Sequence, residues 1–140
     1  MDDEISTWRR DLQAIFDAAV ARVDGRASVR AHLQASPMSG PVHVVAVGKA
    51  AAGMAAGACD ALGGAVADGL IITSRDYVPR GLLDGRPFTV VEGAHPLPDA
   101  RSLAAGQAVI DYLNGLPPSA AVLFLISGGT SSRRNFVSKE

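Results

Sequence analysis

The chain has 140 residues, a length that suits one domain, and 48% of them are hydrophobic, which is enough to build a buried core. Its 13 basic and 14 acidic residues leave a net charge of -1, so it lacks the electrostatic footprint of a protein that binds nucleic acid or an anionic membrane. The single cysteine, Cys59, excludes an internal disulfide framework. With no secretory signal at its start and no apolar run of membrane-spanning length, the chain is expected to be a soluble, globular, cytoplasmic domain.

The first part of the chain is predicted to be helical. Apolar residues recur at three- and four-residue spacing from Ile5 to Val23, with charged residues between them, which is typical of an amphipathic helix. Gly25 is the expected end of this helix. A second, short helix is predicted over residues 28–34, followed by a loop over residues 37–41 that contains two prolines.

The rest of the chain alternates strands with helices. Apolar, β-branched runs predict four strands, at residues 42–47, 69–74, 88–92 and 121–126. An Ala-rich helix is expected over residues 50–62, and a helix capped by Asp99 is expected to run to Leu113. The apolar side of this last helix is predicted to consist of Leu103, Val109, Ile110 and Leu113. Strands separated by helices predict an α/β fold, with a parallel sheet that carries helices on both faces and is preceded by an amphipathic helix.

The end of the sequence does not read as the end of a complete domain. A buried strand and a glycine turn are normally followed by a helix that covers the sheet, whereas residues 133–140 are mostly polar and too few for that purpose. We therefore expect an incomplete domain whose last strand keeps an uncovered face. Such a face would favour self-association.

Three segments with chemical potential follow predicted strands. Gly48-Lys49 follows the first strand, residues 92–98 follow the third, and residues 127–132 follow the fourth. Ligands of open α/β sheets bind beyond the carboxyl ends of the strands, so neighbouring parallel strands would bring these segments to one crevice.

Gly48-Lys49 would place a flexible turn and a cation at the start of the Ala-rich helix. Backbone N–H groups and an ammonium both favour a phosphate or a carboxylate there, although a tight turn with a solvated lysine is an equally plain interpretation. The segment is not a Walker A loop, because Met54-Ala55 stands where Lys and Ser/Thr are required. It is not the dinucleotide fingerprint either, because Lys49-Ala50 interrupts the first Gly-x-Gly.

Residues 127–132 combine consecutive backbone donors with four hydroxyl groups. This combination favours a binding site for phosphate oxygens over an ordinary glycine turn that closes a strand. The sequence has no Gly-x-Ser-x-Gly elbow, which argues against a serine hydrolase. His95 lies on a proline-stiffened loop, where it would contact substrate, transfer protons or simply form a structural hydrogen bond. Glu92 at a strand end is weak evidence for a ligand of a metal or a hydroxyl, and His32 and His43 lack metal-ligand companions at useful spacing.

Taken together, these segments resemble the N-terminal domain of the glycerate 2-kinases, the MOFRL-type proteins often labelled hydroxypyruvate reductases. The resemblance rests on three motifs in the family's order and spacing. They are Val45-Ala-Val-Gly-Lys-Ala-Ala-Ala-Gly-Met-Ala55, Glu92-Gly-Ala-His-Pro-Leu-Pro-Asp99 and Leu125-Ile-Ser-Gly-Gly-Thr-Ser131. Each motif alone is weak, but the ordered triple is fairly specific and extends to about Ser132.

The resemblance implies a Rossmann-like domain and ATP-dependent phosphorylation of D-glycerate to 2-phosphoglycerate, with Mg²⁺. It implies a nucleotide and a small hydroxy acid as the partners, and it identifies no metal ligands. The residues that match are Lys49 as the catalytic lysine; Gly48, Ser127, Gly128, Gly129, Thr130 and Ser131 as ligands of substrate or nucleotide phosphate; and His95, Pro96 and Asp99 as the lining of the cleft.

The sequence departs from the family after the glycine–serine loop, where the family continues with apolar residues and a helix. We accordingly expect residues 1–132 to be a partial kinase domain and residues 133–140 to be a divergent polar tail, with impaired activity. Two alternatives stay open. One is an NAD(P)-dependent hydroxypyruvate reductase, against which the missing dinucleotide fingerprint counts. The other is a non-catalytic remnant that binds at most a phosphate or a nucleotide.

Overall fold

The computed structural model describes residues 2–93 and 99–128, with side chains from Glu4 onwards. Several residues singled out above lie outside these ranges, as do residues 133–140. They are His95, Pro96, Gly129, Thr130 and Ser131.

Two helices precede the sheet, α1 (Asp2–Arg22) and α2 (Gly25–Ala35). The prediction that Gly25 ends α1 was wrong, because Asp24 caps α2 by accepting a hydrogen bond from the Ala27 amide at 2.7 Å. Gly25 therefore begins α2, which is longer than predicted. A β-carbon at Gly25 would lie 2.8 Å from Cγ of Met54, so the glycine is needed for close packing against the next helix.

Four parallel strands form the sheet, in the order β3-β2-β1-β4. They are β1 (Val42–Val47), β2 (Val66–Thr73), β3 (Phe88–Glu92) and β4 (Ala121–Ile126). Helix α3 (Ala51–Leu62) connects β1 to β2, and α4 (Ala100–Asn114) leads from β3 to β4. This strand order matches the first four strands of a doubly wound nucleotide-binding sheet, so the predicted α/β, Rossmann-like fold is confirmed. The predicted start of β2 was wrong, since the strand begins three residues earlier than Gly69.

Helices cover both faces of the sheet. On one face, Val44, Ala46 and Ile71 pack against the alanines of α3, and α2 lies against α3 from outside. The second contact is so close that a β-carbon at Gly57 would overlap the backbone carbonyl of Arg26. On the other face, a smaller cluster joins β2 to Ala105 of α4. This core is therefore filled by small residues, which let the backbones of neighbouring elements approach closely, rather than by large aromatic side chains.

Among the described residues, β4 keeps one face uncovered, as expected, whereas burial on α4 differs from the sequence-based expectation. Leu125 is buried under α3, but Phe124 and Ile126 on the opposite face are 51% and 54% exposed. Since α4 lies over β2 and β3, the described residues leave this part of the sheet open. The apolar side predicted for α4 was wrong for Leu103 and Ile110, which are exposed. Val109 does pack against the core.

Helix α1 keeps its apolar stripe on the surface of the described structure. The large side chains of this stripe are between 49% and 75% exposed. They are Ile5, Trp8, Leu12, Ile15, Phe16 and Val20, together with Val23 just beyond the helix. Within residues 2–93 and 99–128, none of the helices combines the length and apolar character that crossing a bilayer requires.

Candidate functional site

The carboxyl edge of the sheet brings the first predicted site segment together with Ser127, the start of the last one. Strand β1 lies between β2 and β4, and each neighbour is tied to the turn that follows β1. The Gly48 amide donates to the Ile72 carbonyl at 3.1 Å, and the Ser127 amide donates to the Val47 carbonyl at 3.0 Å. Gly48-Lys49 and Ser127 therefore share one edge. Of the middle segment, Glu92 and Gly93 are described at the end of β3, one strand further away.

The turn after β1 depends on glycine and on a buried threonine. Gly48 has a φ of 117°, a backbone conformation that other residues rarely adopt. Its carbonyl accepts a hydrogen bond from Oγ1 of Thr73 at 2.8 Å. Among the described residues, Thr73 is the one polar residue that is buried, and no part of it is accessible to solvent. A hydrogen bond from a buried side chain therefore fixes the backbone that leads into Lys49.

Lys49 itself is exposed and projects from the turn immediately before α3. Its ammonium lies over the ring of Tyr77, with Nζ 5.6 Å from the ring centroid, which is within the range of a cation–π contact. Tyr77 ends a short 3₁₀ turn, Arg75–Tyr77, which Ser74 separates from the end of β2. The carboxyl edge therefore carries a lysine beside a helix N-terminus, and both attract an anion.

Ser127 joins β4 to the start of α3. Its Oγ accepts a hydrogen bond from the Ala50 amide at 3.1 Å and lies 3.4 Å from the Val47 carbonyl, to which it donates. Ala50 occupies the N-cap position of α3, and its alanine side chain cannot accept a hydrogen bond from the first turn of the helix. Ser127, 77 positions along the chain, binds the amide of this N-cap residue instead. The Ala50 amide is thereby engaged. The following amides of the first turn, at Ala52 and Gly53, are the ones that helix geometry leaves without intrahelical acceptors.

Two carboxylates near this edge, Glu92 and Asp99, are paired with arginines. Nε of Arg75 lies 3.6 Å from Oε2 of Glu92. Asp99 caps α4 as predicted, accepting from the Arg101 amide at 2.8 Å, and the hydrogen bond from the Arg101 guanidinium holds the pKa of this carboxyl below its usual value. No group of three or more histidine, cysteine, aspartate or glutamate residues within the described ranges is arranged to hold a metal ion. These carboxylates thus serve as local structural partners.

Sequence reasoning missed a polar cluster at the opposite end of the sheet. His43 and Asp68 are paired in register on β1 and β2, with Nδ1 of the histidine 2.7 Å from Oδ1 of the aspartate. The Tyr112 hydroxyl of α4 donates to the same oxygen. Burial acts to raise the pKa of Asp68, but the hydrogen bonds from Tyr112 and His43 outweigh it and lower that pKa. Only the strand register brings these residues together, so the sequence carried no signal for the cluster.

The fold and its carboxyl edge define an α/β protein of the doubly wound class, with its cationic turn at the strand ends where such proteins bind ligands. Within that class, the chain belongs to the family described as "Domain of unknown function (DUF4147)", whose model matches residues 11–136.

Named relatives of the chain include glycerate 2-kinases. It is 38% identical over 132 residues to an Agrobacterium vitis protein with the provisional name hydroxypyruvate reductase, a match that covers 90% of this chain and 29% of the relative. It is 37% identical over 91 residues to a D-glycerate 2-kinase of Thermotoga maritima, covering 65% of this chain and 21% of that protein.

A crystal structure of a glycerate kinase from Thermotoga maritima superimposes with a TM-score of 0.75 at 29% identity, covering 91% of this chain and 30% of that one. The resemblance to the glycerate 2-kinases is therefore confirmed. The chain spans less than a third of the length of each of these proteins.

Proposed function

We propose that this chain carries the phosphate-binding side of a D-glycerate 2-kinase site, which transfers a phosphoryl group from ATP to the 2-hydroxyl of D-glycerate. The observation that supports it is the position of Lys49, on a glycine turn at the carboxyl edge and beside the N-terminus of α3. Phosphoryl transfer requires mainly positioning and stabilisation of negative charge, which a lysine and backbone amides can supply.

Each part of this edge has a proposed role. Lys49 neutralises charge on the oxygens of the transferring group, and the N-terminus of α3 adds the positive end of its dipole. Ser127 holds the end of β4 against the start of α3, and the exposed Gly128 follows it in the chain. Gly48 with Gly128, Gly129, Thr130 and Ser131 is proposed to cradle phosphate oxygens. His95, Pro96 and Asp99 are proposed to line the cleft.

The donors at this edge fit ATP better than they fit a metal ion. A cation and helix amides suit phosphate oxygens, and ATP supplies the phosphoryl group when it is bound. Mg²⁺ prefers oxygen ligands such as carboxylates. Glu92 and Asp99 are paired with arginines, and the described residues hold no cluster of three or more metal-ligating side chains. We therefore propose Mg²⁺ as the companion of ATP and assign it no ligand from this chain.

Reductase chemistry is less well supported. A dinucleotide fingerprint needs a second glycine where the backbone approaches the pyrophosphate, and Lys49-Ala50 stands at that point. The provisional name of the Agrobacterium vitis relative nevertheless makes NADH-dependent reduction of hydroxypyruvate worth measuring beside the kinase reaction. The cytoplasmic location and the division at residue 132 remain predictions.

Calorimetric titration of the 140-residue chain with Mg-ATP and with D-glycerate tests the proposal. We expect Lys49→Ala to weaken Mg-ATP binding about tenfold or more, since a charge-assisted contact with phosphate contributes roughly 1.5–3 kcal/mol. Arg30→Ala, which removes an exposed cation from α2, is the matched control and should leave binding unchanged. Equal affinity in Lys49→Ala and the unsubstituted chain would refute the role of the lysine. A folded chain that binds neither ligand would favour the non-catalytic alternative.

A further inference from the structure

The end of β2 contacts Lys49 at both its backbone and its ammonium. At the backbone, the Thr73 hydroxyl donates to the carbonyl of Gly48, which belongs to the peptide that leads into Lys49. The same carbonyl accepts from the Ala51 amide at 3.3 Å, so it is shared between the core and the start of α3. A hydroxyl that is completely inaccessible is costly unless it is bonded, and valine would fill the same space. The role of the threonine hydroxyl is therefore to fix the Gly48 carbonyl in this turn.

At the ammonium, the ring of Tyr77 limits where the lysine can reach. Tyr77 is half-buried, and its 3₁₀ turn is closed by hydrogen bonds from its own amide to the Ser74 carbonyl at 3.0 Å and from the Val78 amide to the Arg75 carbonyl at 3.0 Å. The ring is therefore part of a defined turn. An exposed lysine otherwise samples many rotamers, and the 5.6 Å contact selects those that keep its charge at the carboxyl edge.

We propose that Thr73 and Tyr77 are positioning residues for Lys49, the first through its backbone and the second through its ammonium. Neither residue is assigned a contact with substrate. The role rests on the proposed function, in which Lys49 meets a phosphate. It goes beyond that function by extending the site from the turn after β1 to the end of β2, which none of the three sequence motifs includes.

The lysine content of the chain makes the contact directly observable. Lys49 and Lys139 are its two lysines, so a chain labelled with ¹³C-lysine gives two sets of ε-methylene signals, and Lys139→Arg assigns them. Stacking over Tyr77 should move the Lys49 ε-protons upfield through the ring current of the tyrosine. We expect Tyr77→Leu to abolish this shift and Tyr77→Phe to retain it, whereas Thr73→Val should reduce it and Thr73→Ser should not.

Titration with inorganic pyrophosphate then links position to binding. Tyr77→Leu should weaken binding about two- to fivefold, as the loss of an exposed cation–π contact predicts, and Tyr77→Phe should restore it. Unfolding midpoints of each variant separate this effect from lost stability. The tyrosine pair decides the role of Tyr77, and if Thr73→Val does not fold, Thr73→Ala compared with Thr73→Ser decides the role of Thr73: a Lys49 signal that is the same in both overturns it. An ε-methylene signal that is the same in Tyr77→Leu overturns the proposal. A third outcome separates the two proposals. If Tyr77→Leu loses the ring-current shift but Lys49→Ala binds pyrophosphate as well as the unsubstituted chain, the contact exists, and the proposed function fails together with the positioning role.

Discussion

Two glycines of α3 provide a matched test of how the helix before the site is held. Gly53 and Gly57 lie one turn apart, and both replacements by alanine gain about 1 kcal/mol of intrinsic helix stability. A β-carbon at Gly53 would lie 3.9 Å from its nearest neighbour, the Arg26 amide nitrogen, which is ordinary contact. At Gly57 it would overlap the carbonyl of Arg26, and a backbone group cannot rotate away as a side chain can.

We therefore expect opposite signs for the two substitutions. Gly53→Ala should stabilise the protein by up to about 1 kcal/mol. Gly57→Ala should destabilise it by about 1–2 kcal/mol, because overpacking against a backbone carbonyl, at roughly 2–3 kcal/mol, exceeds the helix gain of about 1 kcal/mol. The resulting gap of about 2–3 kcal/mol corresponds to about 8 °C or more between the melting temperatures of the two variants. Circular dichroism at 222 nm with urea and with heat measures it. If Gly57→Ala were as stable as Gly53→Ala, α2 would not pack on α3 as described.

Three further predictions concern Ser127, an ion pair and the open face. Ser127→Ala should lower the free energy of unfolding in urea by about 1 kcal/mol, because the Ala50 amide loses its hydrogen-bond acceptor, while Ser119→Ala in a surface loop should cost nothing measurable. The hydrogen bond from Arg26 lowers the pKa of Asp60. The stabilisation by this carboxylate is therefore present above the pKa of Asp60 in the unfolded chain and is lost as the pH falls through its pKa in the folded protein. If Asp60→Asn lost stability in acid as steeply as the unsubstituted chain, this reasoning would be contradicted. Sedimentation velocity should show less self-association for Phe124→Ser, and an unchanged distribution would exclude the open face as the contact.

The predictable part of the fold was the part that local pattern encodes. The bounds of β1, β3 and β4 agree with the predicted ranges, because continuous apolar runs between turn residues leave few alternatives for a buried strand. The start of β2 was missed because Val66, Ala67 and Asp68 do not continue that run, and only pairing with β1 makes them a strand. Gly25 was misassigned because a glycine near a helix end usually marks a stop, whereas here it permits contact with Met54.

The candidate site divides in the same way. The sequence shows a glycine–lysine turn after a buried strand. It also allowed the prediction that Lys49 and Ser127 lie at one edge, because parallel strands place their carboxyl ends together. The partners of these residues were not visible. The hydrogen bond between Ser127 and the Ala50 amide depends on β4 lying next to β1. The hydrogen bond from Thr73 to Gly48 depends on the side chain at the end of one strand facing the turn after its neighbour.

By itself, therefore, the sequence determined the alternation of strands and helices, the family, and the residue types that gather at one edge, because these follow from local periodicity and from motifs. Tertiary structure alone decided which hydroxyl holds which backbone group, which apolar side chains of α4 and β4 face solvent, and that an aromatic ring lies beneath Lys49. Those features depend on strand order, register and helix placement, and each is set by contacts between residues that are distant along the chain.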